Sequence, residues 1–178
     1  MNYFIQFLTY FRILIAPIIF MSITFYESYG WALCLFFLAS ISDYWDGFLA
    51  RKYKLESIIG AVLDPVADKI LVTFLILALS LKFSSIFIGL MGGLMLAREF
   101  WVGALRDLNA RQNNSNATKV TRLAKIKTFI QFITFSSYLF GLALNNSLIL
   151  FISNFLLFLA TIITLQTGLS YTMSTFKK

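Results

Sequence analysis

The chain has 178 residues, of which 59% are hydrophobic and 13% are charged, and its formal net charge is +7. Soluble domains are about 45–50% apolar and about 25% charged, so this composition excludes an ordinary soluble domain. The sequence has no histidine and a single cysteine, Cys34, which excludes histidine chemistry and an intrachain disulfide. The length indicates one domain, residues 1–178.

Six apolar runs follow one another along the chain, each long enough to cross a bilayer. We therefore expect an all-α integral membrane protein, a bundle of six transmembrane helices. The predicted spans are residues 7–25, 31–53, 58–81, 86–109, 123–144 and 148–173.

Three details refine this prediction. Residues 2–9 mix aromatic and polar side chains, which is typical of a short interfacial segment ahead of the first span. Asp64 and Pro65 fit either the first residues of a helix or a kink one turn inside it. The sixth span carries no recognisable chemistry, and its simplest interpretation is packing.

The basic residues fall almost entirely on one side of the predicted topology. Lys82 lies alone on the opposite side. Because basic loops stay in the cytoplasm, this asymmetry places both termini and the acidic cluster described next on the cytoplasmic face. It also favours membrane orientation and anionic substrates over nucleic acid as the meaning of the net charge. The residues on the crowded side are Arg51, Lys52, Lys54, Arg106, Arg111, Lys119, Arg122, Lys125, Lys127, Lys177 and Lys178.

The acidic residues are concentrated between the second and third apolar runs. Five of the eight in the chain lie within residues 43–68, namely Asp43, Asp46, Glu56, Asp64 and Asp68. Spacings of three and four residues place each aspartate pair on one helix face. Two such faces turned towards each other would bring four carboxylates together, and a hard cation such as Mg²⁺, Mn²⁺ or Ca²⁺ would offset their repulsion.

The residues around these aspartates favour a phosphate-containing ligand. Gly47 and Gly60 allow a ligand to approach the backbone closely, and Arg51 offers a planar fork suited to phosphate oxygens.

The spacing Asp-x2-Asp-Gly-x2-Ala-Arg-x8-Gly-x3-Asp-x3-Asp resembles the signature of the CDP-alcohol phosphatidyltransferases. All of its fixed positions match without a gap, at Asp43, Asp46, Gly47, Ala50, Arg51, Gly60, Asp64 and Asp68. The resemblance implies a CDP-diacylglycerol donor, CMP as leaving group, and Mg²⁺ or Mn²⁺, with two ions expected. It implies metal ligands at Asp43, Asp46, Asp64 and Asp68, and Asp68 as the general base. It further implies CDP binding by Asp43, Asp46, Gly47, Ala50, Arg51 and Gly60, and a homodimer.

A second group of candidate functional residues consists of arginines and lysines. Arg98 and Arg106 are eight residues apart, roughly on one face of a helix, and Arg122, Lys125 and Lys127 open the next span. If these helix ends are adjacent, the cations lack enough acidic partners and a phosphate would satisfy them. Stop-transfer charges that bind acidic lipid headgroups are the alternative.

This region and the start of the chain resemble one branch of the family, the phosphatidylglycerophosphate synthases. The matching phrases are Leu8-Thr9-x2-Arg12-x4-Pro17, Ala97-Arg98-Glu99-Phe100, Ala104-Leu105-Arg106 and Ala124-Lys125-Ile126-Lys127-Thr128. The resemblance implies glycerol 3-phosphate as acceptor, its phosphate held by Arg98, Arg106, Lys125, Lys127 and Arg122.

Two other interpretations stay open. The first is the same chemistry with another acceptor, such as inositol phosphate, serine, choline or a lipid. The second is a cation channel or transporter, whose carboxylates tend to lie near the bilayer midplane. Here the carboxylates bunch at one end of their spans beside Arg51, which would oppose cation passage.

Overall fold

The computed structural model describes residues 2–53, 58–112, 114, 118 and 122–177; the side chains of residues 2–6, 44, 46, 47, 49–51, 58, 59, 61, 62 and 122 lie outside this description. The described residues contain six α-helices and no strand. The helices are α1 (Asn2–Thr24), α2 (Tyr29–Tyr53), α3 (Ile58–Phe83), α4 (Ile86–Arg111), α5 (Arg122–Ala143) and α6 (Ser147–Phe176).

Each predicted span falls on one helix. The predicted interfacial segment at residues 2–9 belongs to α1, which runs without a break from Asn2, and its place at the membrane surface stays a prediction. Of the two possibilities left open at Asp64 and Pro65, the start of a helix is excluded, since Pro65 lies inside α3, two turns after its start; a kink there stays a prediction.

Within the described part of the chain, four helices are long and apolar enough to cross a membrane: α1 from Phe7, α4, α5 from Leu123, and α6. The apolar part of α2 is shorter, Tyr29–Asp43, and its second half carries the aspartate motif. The first half of α3 carries Asp64, Asp68 and Lys69. The charges of the motif, together with Lys69, therefore lie in two helices that are not among these four candidate spans.

The chain forms two compact units, Met1–Ser85 with Leu142–Asn145, and Ile86–Gly141 with Asn146–Lys178. In the first unit, α1 packs against both α2 and α3. Thr9, early in α1, contacts Asp64, early in α3, and the ring of Phe20, late in α1, contacts that of Phe74, later in α3. The two helices therefore run parallel. The buried face of α1 includes Ile15, Ala16, Ile19 and Ile23, at the spacing of a helix stripe.

In the second unit, α4 packs against α6 and α5 forms a hairpin with α6. The turn before α6 is fixed by Asn146, whose side chain accepts hydrogen bonds from the first backbone amides of the helix. Trp101 and Asn109 of α4 each donate a hydrogen bond of 2.9 Å to a hydroxyl of α6, those of Thr172 and Thr175. The residue that comes later in α4 contacts the residue that comes later in α6, so these two helices also run parallel.

Candidate active site

Arg12 is a charged side chain of α1 that is completely buried. Its Nη1 donates hydrogen bonds to Oδ1 of Asp43 on α2 and to Oδ1 of Asp68 on α3, the latter at 2.5 Å. Its Nη2 lies 3.4 Å from Oδ1 of Asp64, also on α3. A buried arginine is tolerated because paired carboxylates repay the loss of water. Arg12 therefore joins the three helices of the first unit at the aspartate motif.

Thr9 lies one turn before Arg12 on the same face of α1. Its hydroxyl donates a hydrogen bond of 2.7 Å to Oδ1 of Asp64, and Thr9 is itself buried. The threonine and the arginine thus hold Asp64 from two sides, which restricts its carboxylate more than a single ion pair would.

The three aspartate side chains are partly or largely exposed, although their arginine is not. Their side chains are 50% (Asp43), 36% (Asp64) and 53% (Asp68) exposed, against 0% for Arg12. The guanidinium is buried inside the unit, and the carboxylates that contact it reach the surface. Within this group, three negative charges share one positive charge, so two negative charges are in excess.

The donor set fits a hard cation, because exposed carboxylate oxygens with excess negative charge are ligands for Mg²⁺ or Mn²⁺. Among the described side chains, however, no three acidic or cysteine residues are grouped at metal-ligand distances. The described aspartates gather on the guanidinium instead, and the side chain of Asp46 lies outside the description.

The predicted CDP-binding residues are only partly described. The backbone of α2 carries Asp46, Gly47, Ala50 and Arg51 as predicted, but their side chains lie outside the described residues. Gly60 lies in the first turn of α3 and is partly buried. Their role in nucleotide binding stays a prediction.

The second unit contains the second group of candidate residues, the arginines and lysines. Arg98 of α4 is buried, and its Nη2 donates a hydrogen bond of 2.8 Å to the hydroxyl of Thr167 on α6. Its Nη1 donates to Oε1 of Glu99 at 3.3 Å. Lys127 of α5 is also buried and donates from Nζ to the same Oε1. Glu99 thus joins the two buried cations, which come from different helices.

The remaining basic residues divide into three cases. Arg106 is exposed at the surface of α4, and its guanidinium lies 6.0 Å from the ring centre of Tyr171, which Arg98 also approaches, at 5.8 Å. Lys125 is exposed and makes no described hydrogen bond or ion pair with this cluster. Arg122 begins α5, and its side chain lies outside the described residues. The structure therefore brings Arg98, Lys127 and Arg106 together.

Two contacts add to the interpretation of the sequence. Arg98 and Lys127 share one described acidic partner, Glu99, so the grouped cations still outnumber the carboxylates described with them. The sixth helix is more than packing, because Thr167 supplies a polar contact to the buried guanidinium.

Sequence reasoning also did not recognise Arg12 and Thr9 as partners of the aspartates. The available signal was their three-residue spacing in an otherwise apolar helix, since an arginine at that depth requires a partner.

The chain matches a known protein family over most of its length. A model of the CDP-alcohol phosphatidyltransferase family matches residues 5–166. The chain belongs to the CDP-alcohol phosphatidyltransferase family. Family membership and the four long apolar helices together make it an integral membrane protein.

The chain is similar over most of its length to curated bacterial relatives. It is 38% identical to a protein of Rickettsia felis over 169 residues, which cover 93% of this chain and 91% of the relative. It is 33% identical to a protein of Salmonella typhimurium over 168 residues, which cover 92% and 90%. It is 41% identical to one of Rickettsia bellii over 138 residues, which cover 77% and 74%. All three are named CDP-diacylglycerol--glycerol-3-phosphate 3-phosphatidyltransferase.

Replacing Glu99 tests whether it is the shared counter-charge of the basic cluster. Glu99→Gln leaves Arg98 and Lys127 buried without their carboxylate, and we expect the free energy of unfolding in detergent to fall by about 2 kcal/mol. The matched control is Asp107→Asn, because Asp107 pairs with Arg111 at 3.7 Å but both side chains are about 80% exposed. That change should cost about 0.5 kcal/mol or less. Equal losses in the two variants would contradict the assignment.

Proposed function

We propose that the protein transfers the phosphatidyl group of CDP-diacylglycerol to the hydroxyl of glycerol 3-phosphate, giving phosphatidylglycerophosphate and CMP in phospholipid biosynthesis. The donor chemistry is supported by the three motif aspartates, which α2 and α3 bring together on Arg12. The acceptor is supported by the relatives, whose names specify glycerol 3-phosphate.

The reaction is a single displacement at the lipid-side phosphorus. The acceptor oxygen forms the new phosphorus–oxygen bond while the bond from that phosphorus to the bridging oxygen breaks and CMP leaves. Asp68 takes the proton of the attacking hydroxyl, and it suits this role because about half of its side chain is exposed. Arg12 and Thr9 orient the motif: Arg12 contacts Asp43, Asp64 and Asp68, and Thr9 fixes Asp64.

Mg²⁺ or Mn²⁺, as two ions, belongs to the proposal. Asp43, Asp46, Asp64 and Asp68 would hold them, which agrees with the excess of two negative charges around Arg12. When bound, such ions neutralise the pyrophosphate and stabilise the charge that develops on the leaving phosphate. Gly47, Ala50, Arg51 and Gly60, with Asp43 and Asp46, would contact the CDP moiety.

The acceptor phosphate is assigned to the basic cluster of the second unit. Arg98, Arg106 and Lys127 are grouped there with only Glu99 as described carboxylate, and Arg122 and Lys125 complete the set. Guanidinium groups bind phosphate oxygens through paired donors, which a neutral acceptor would not require.

The proposal includes six membrane crossings, with α2 and α3 spanning as well, and with both termini and the active site in the cytoplasm. The acyl chains of the donor would enter laterally from the bilayer. A homodimer, implied by the family, is part of the proposal; light scattering of the detergent-solubilised protein distinguishes one 20.3 kDa chain from two.

The first test measures CMP release by the purified protein in detergent with CDP-diacylglycerol, Mg²⁺ or Mn²⁺ and one acceptor at a time. We expect release with glycerol 3-phosphate and not with inositol phosphate, serine or no acceptor. Asp68→Asn should lower the rate at least about 100-fold, because it removes the proton acceptor. Glu27→Gln is the matched control, since Glu27 is an exposed carboxylate paired with Lys82 in the same unit, and it should keep full activity.

The acceptor series separates the parts of the proposal. Release with serine alone would keep the family chemistry and overturn the assignment of the basic cluster, whereas release with inositol phosphate alone would keep the cluster as a phosphate site and overturn only the identity of the acceptor. Absence of release with every acceptor, from folded protein, would contradict the transferase reaction itself.

A second test concerns cation binding and is independent of activity. Arg12→Met leaves three neighbouring carboxylates without their shared counter-charge, and we expect the metal-free protein to lose about 2 kcal/mol of stability. Mn²⁺ should then raise the melting temperature of this variant more than that of the parent protein. Lys82→Met is the matched control, because it removes a cation from one exposed carboxylate only. If Mn²⁺ shifts neither melting temperature, the aspartates are not its site.

A third test addresses membrane topology. In a Cys34→Ser background, single cysteines are introduced by Tyr53→Cys, Ser84→Cys, Ser147→Cys and Lys177→Cys. In intact cells, a membrane-impermeant maleimide should label positions 84 and 147 and leave positions 53 and 177 unlabelled. Labelling at position 53 would show that α2 does not cross, which would overturn the six-span arrangement.

A further inference from the structure

The position of Arg98 depends on α6, a helix to which the sequence assigns no chemistry. Arg98 lies in an apolar helix and is 7% exposed, so it cannot rely on water to fix its guanidinium. Glu99 contacts it at 3.3 Å from the adjacent position on α4, whereas the shorter contact, 2.8 Å, comes from Thr167 of α6. The more closely held end of the guanidinium is therefore the one facing α6.

The hydroxyl of Thr167 is oriented to accept this hydrogen bond. A threonine hydroxyl has one proton and two lone pairs. Thr167 donates its proton to the carbonyl oxygen of Thr164, at 2.8 Å in its own helix. The lone pairs that remain point away from the backbone, and Arg98, which can only donate, occupies one of them.

Gly168 provides the space that this arrangement needs. A Cβ atom at position 168 would lie 2.8 Å from Cγ and 3.3 Å from Nε of Arg98. The stem of the arginine therefore rests directly on the backbone of α6, and any side chain at this position would move it. Glycine is required here for close approach rather than for an unusual backbone angle.

Tyr171, one turn further along α6, contributes the third contact. The guanidinium groups of Arg98 and Arg106 lie 5.8 Å and 6.0 Å from its ring centre, within cation–π range. One buried ring thus attracts two like-charged groups that would otherwise repel each other. Thr167, Gly168 and Tyr171 together form what we call the Arg98 seat.

We propose that the Arg98 seat of α6 sets the affinity of the protein for the acceptor phosphate, with Thr167 as the positioning residue. The inference rests on the proposed function, in which Arg98 binds that phosphate. Protein acceptors use only part of the guanidinium: it has five N–H donors, and among the described residues it donates only to Thr167 and Glu99, so further donors of its two amino groups remain. An arginine held at one end by α6 presents its other donors in a fixed direction, which is the condition for directional phosphate binding.

Removal of the Thr167 hydroxyl tests the proposal. In detergent with CDP-diacylglycerol, Thr167→Val should raise the KM for glycerol 3-phosphate about tenfold, as expected for the loss of one hydrogen bond to a charged group. The kcat and the KM for CDP-diacylglycerol should change by less than about twofold, because the aspartate motif is untouched. Thr167→Ser keeps the hydroxyl and should restore the parent KM.

Thr175→Val is the matched control. Thr175 lies on the same helix, and its hydroxyl accepts an equivalent hydrogen bond of 2.9 Å from α4, but from the neutral amide of Asn109. This variant should lose similar thermal stability without a change in the KM for glycerol 3-phosphate. A rise in KM of the same size in both variants would overturn the proposal in favour of general helix packing.

Two more variants make every outcome informative. Gly168→Ala displaces the arginine stem without removing a hydroxyl, and we expect the same selective rise in KM, so the proposal stays testable if Thr167→Val does not fold. Arg98→Lys tests the underlying function. An unchanged KM in Arg98→Lys would refute phosphate binding by Arg98 itself, whereas a raised KM there with unchanged values in Thr167→Val and Gly168→Ala would overturn only the role of α6.

Discussion

The burial of Arg12 among three aspartates is the constraint on which the first unit depends. A guanidinium without water needs carboxylates, and Asp43, Asp64 and Asp68 meet that need from two different helices. The same contact restrains the aspartates, whose exposed carboxylates would otherwise repel one another and separate. Structural stability and the placement of the reactive carboxylates therefore have a common cause, and the apolar stripe of α1 keeps that arginine in place.

The second unit repeats this principle with the charges reversed. There one carboxylate, Glu99, contacts two buried cations, Arg98 and Lys127, and neutral groups of α6 contact Arg98 as well. One cluster thus carries excess negative charge and suits cations, while the other carries excess positive charge and suits anions. The proposed reaction assigns the metal ions to the acidic cluster and the acceptor phosphate to the basic one.

The sequence predicted the elements better than the contacts between them. Span positions follow from runs of apolar residues, so each predicted span falls on one helix. The aspartate motif could be recognised because its spacing is local. Arg12 pairs with Asp43 and Asp68, which lie 31 and 56 positions further along the chain. No local spacing in the sequence indicates such distant pairs. Thr167 was overlooked because a hydroxyl in an apolar helix usually bonds only its own backbone, and it does so here as well as binding Arg98.

The order in which the chain is synthesised gives the Arg12 contact another consequence. Arg12 emerges from the ribosome 31 residues before Asp43 and 56 residues before Asp68. Until those residues follow, α1 carries an uncompensated charge, which costs up to about 2.5–3.5 kcal/mol in a helix entering lipid. Asp43 on α2 is the first carboxylate that can balance this charge, and Asp64 and Asp68 on α3 follow it. During synthesis α1 can therefore make its first ion pair with α2, and the rest of its polar contacts become available when α3 follows.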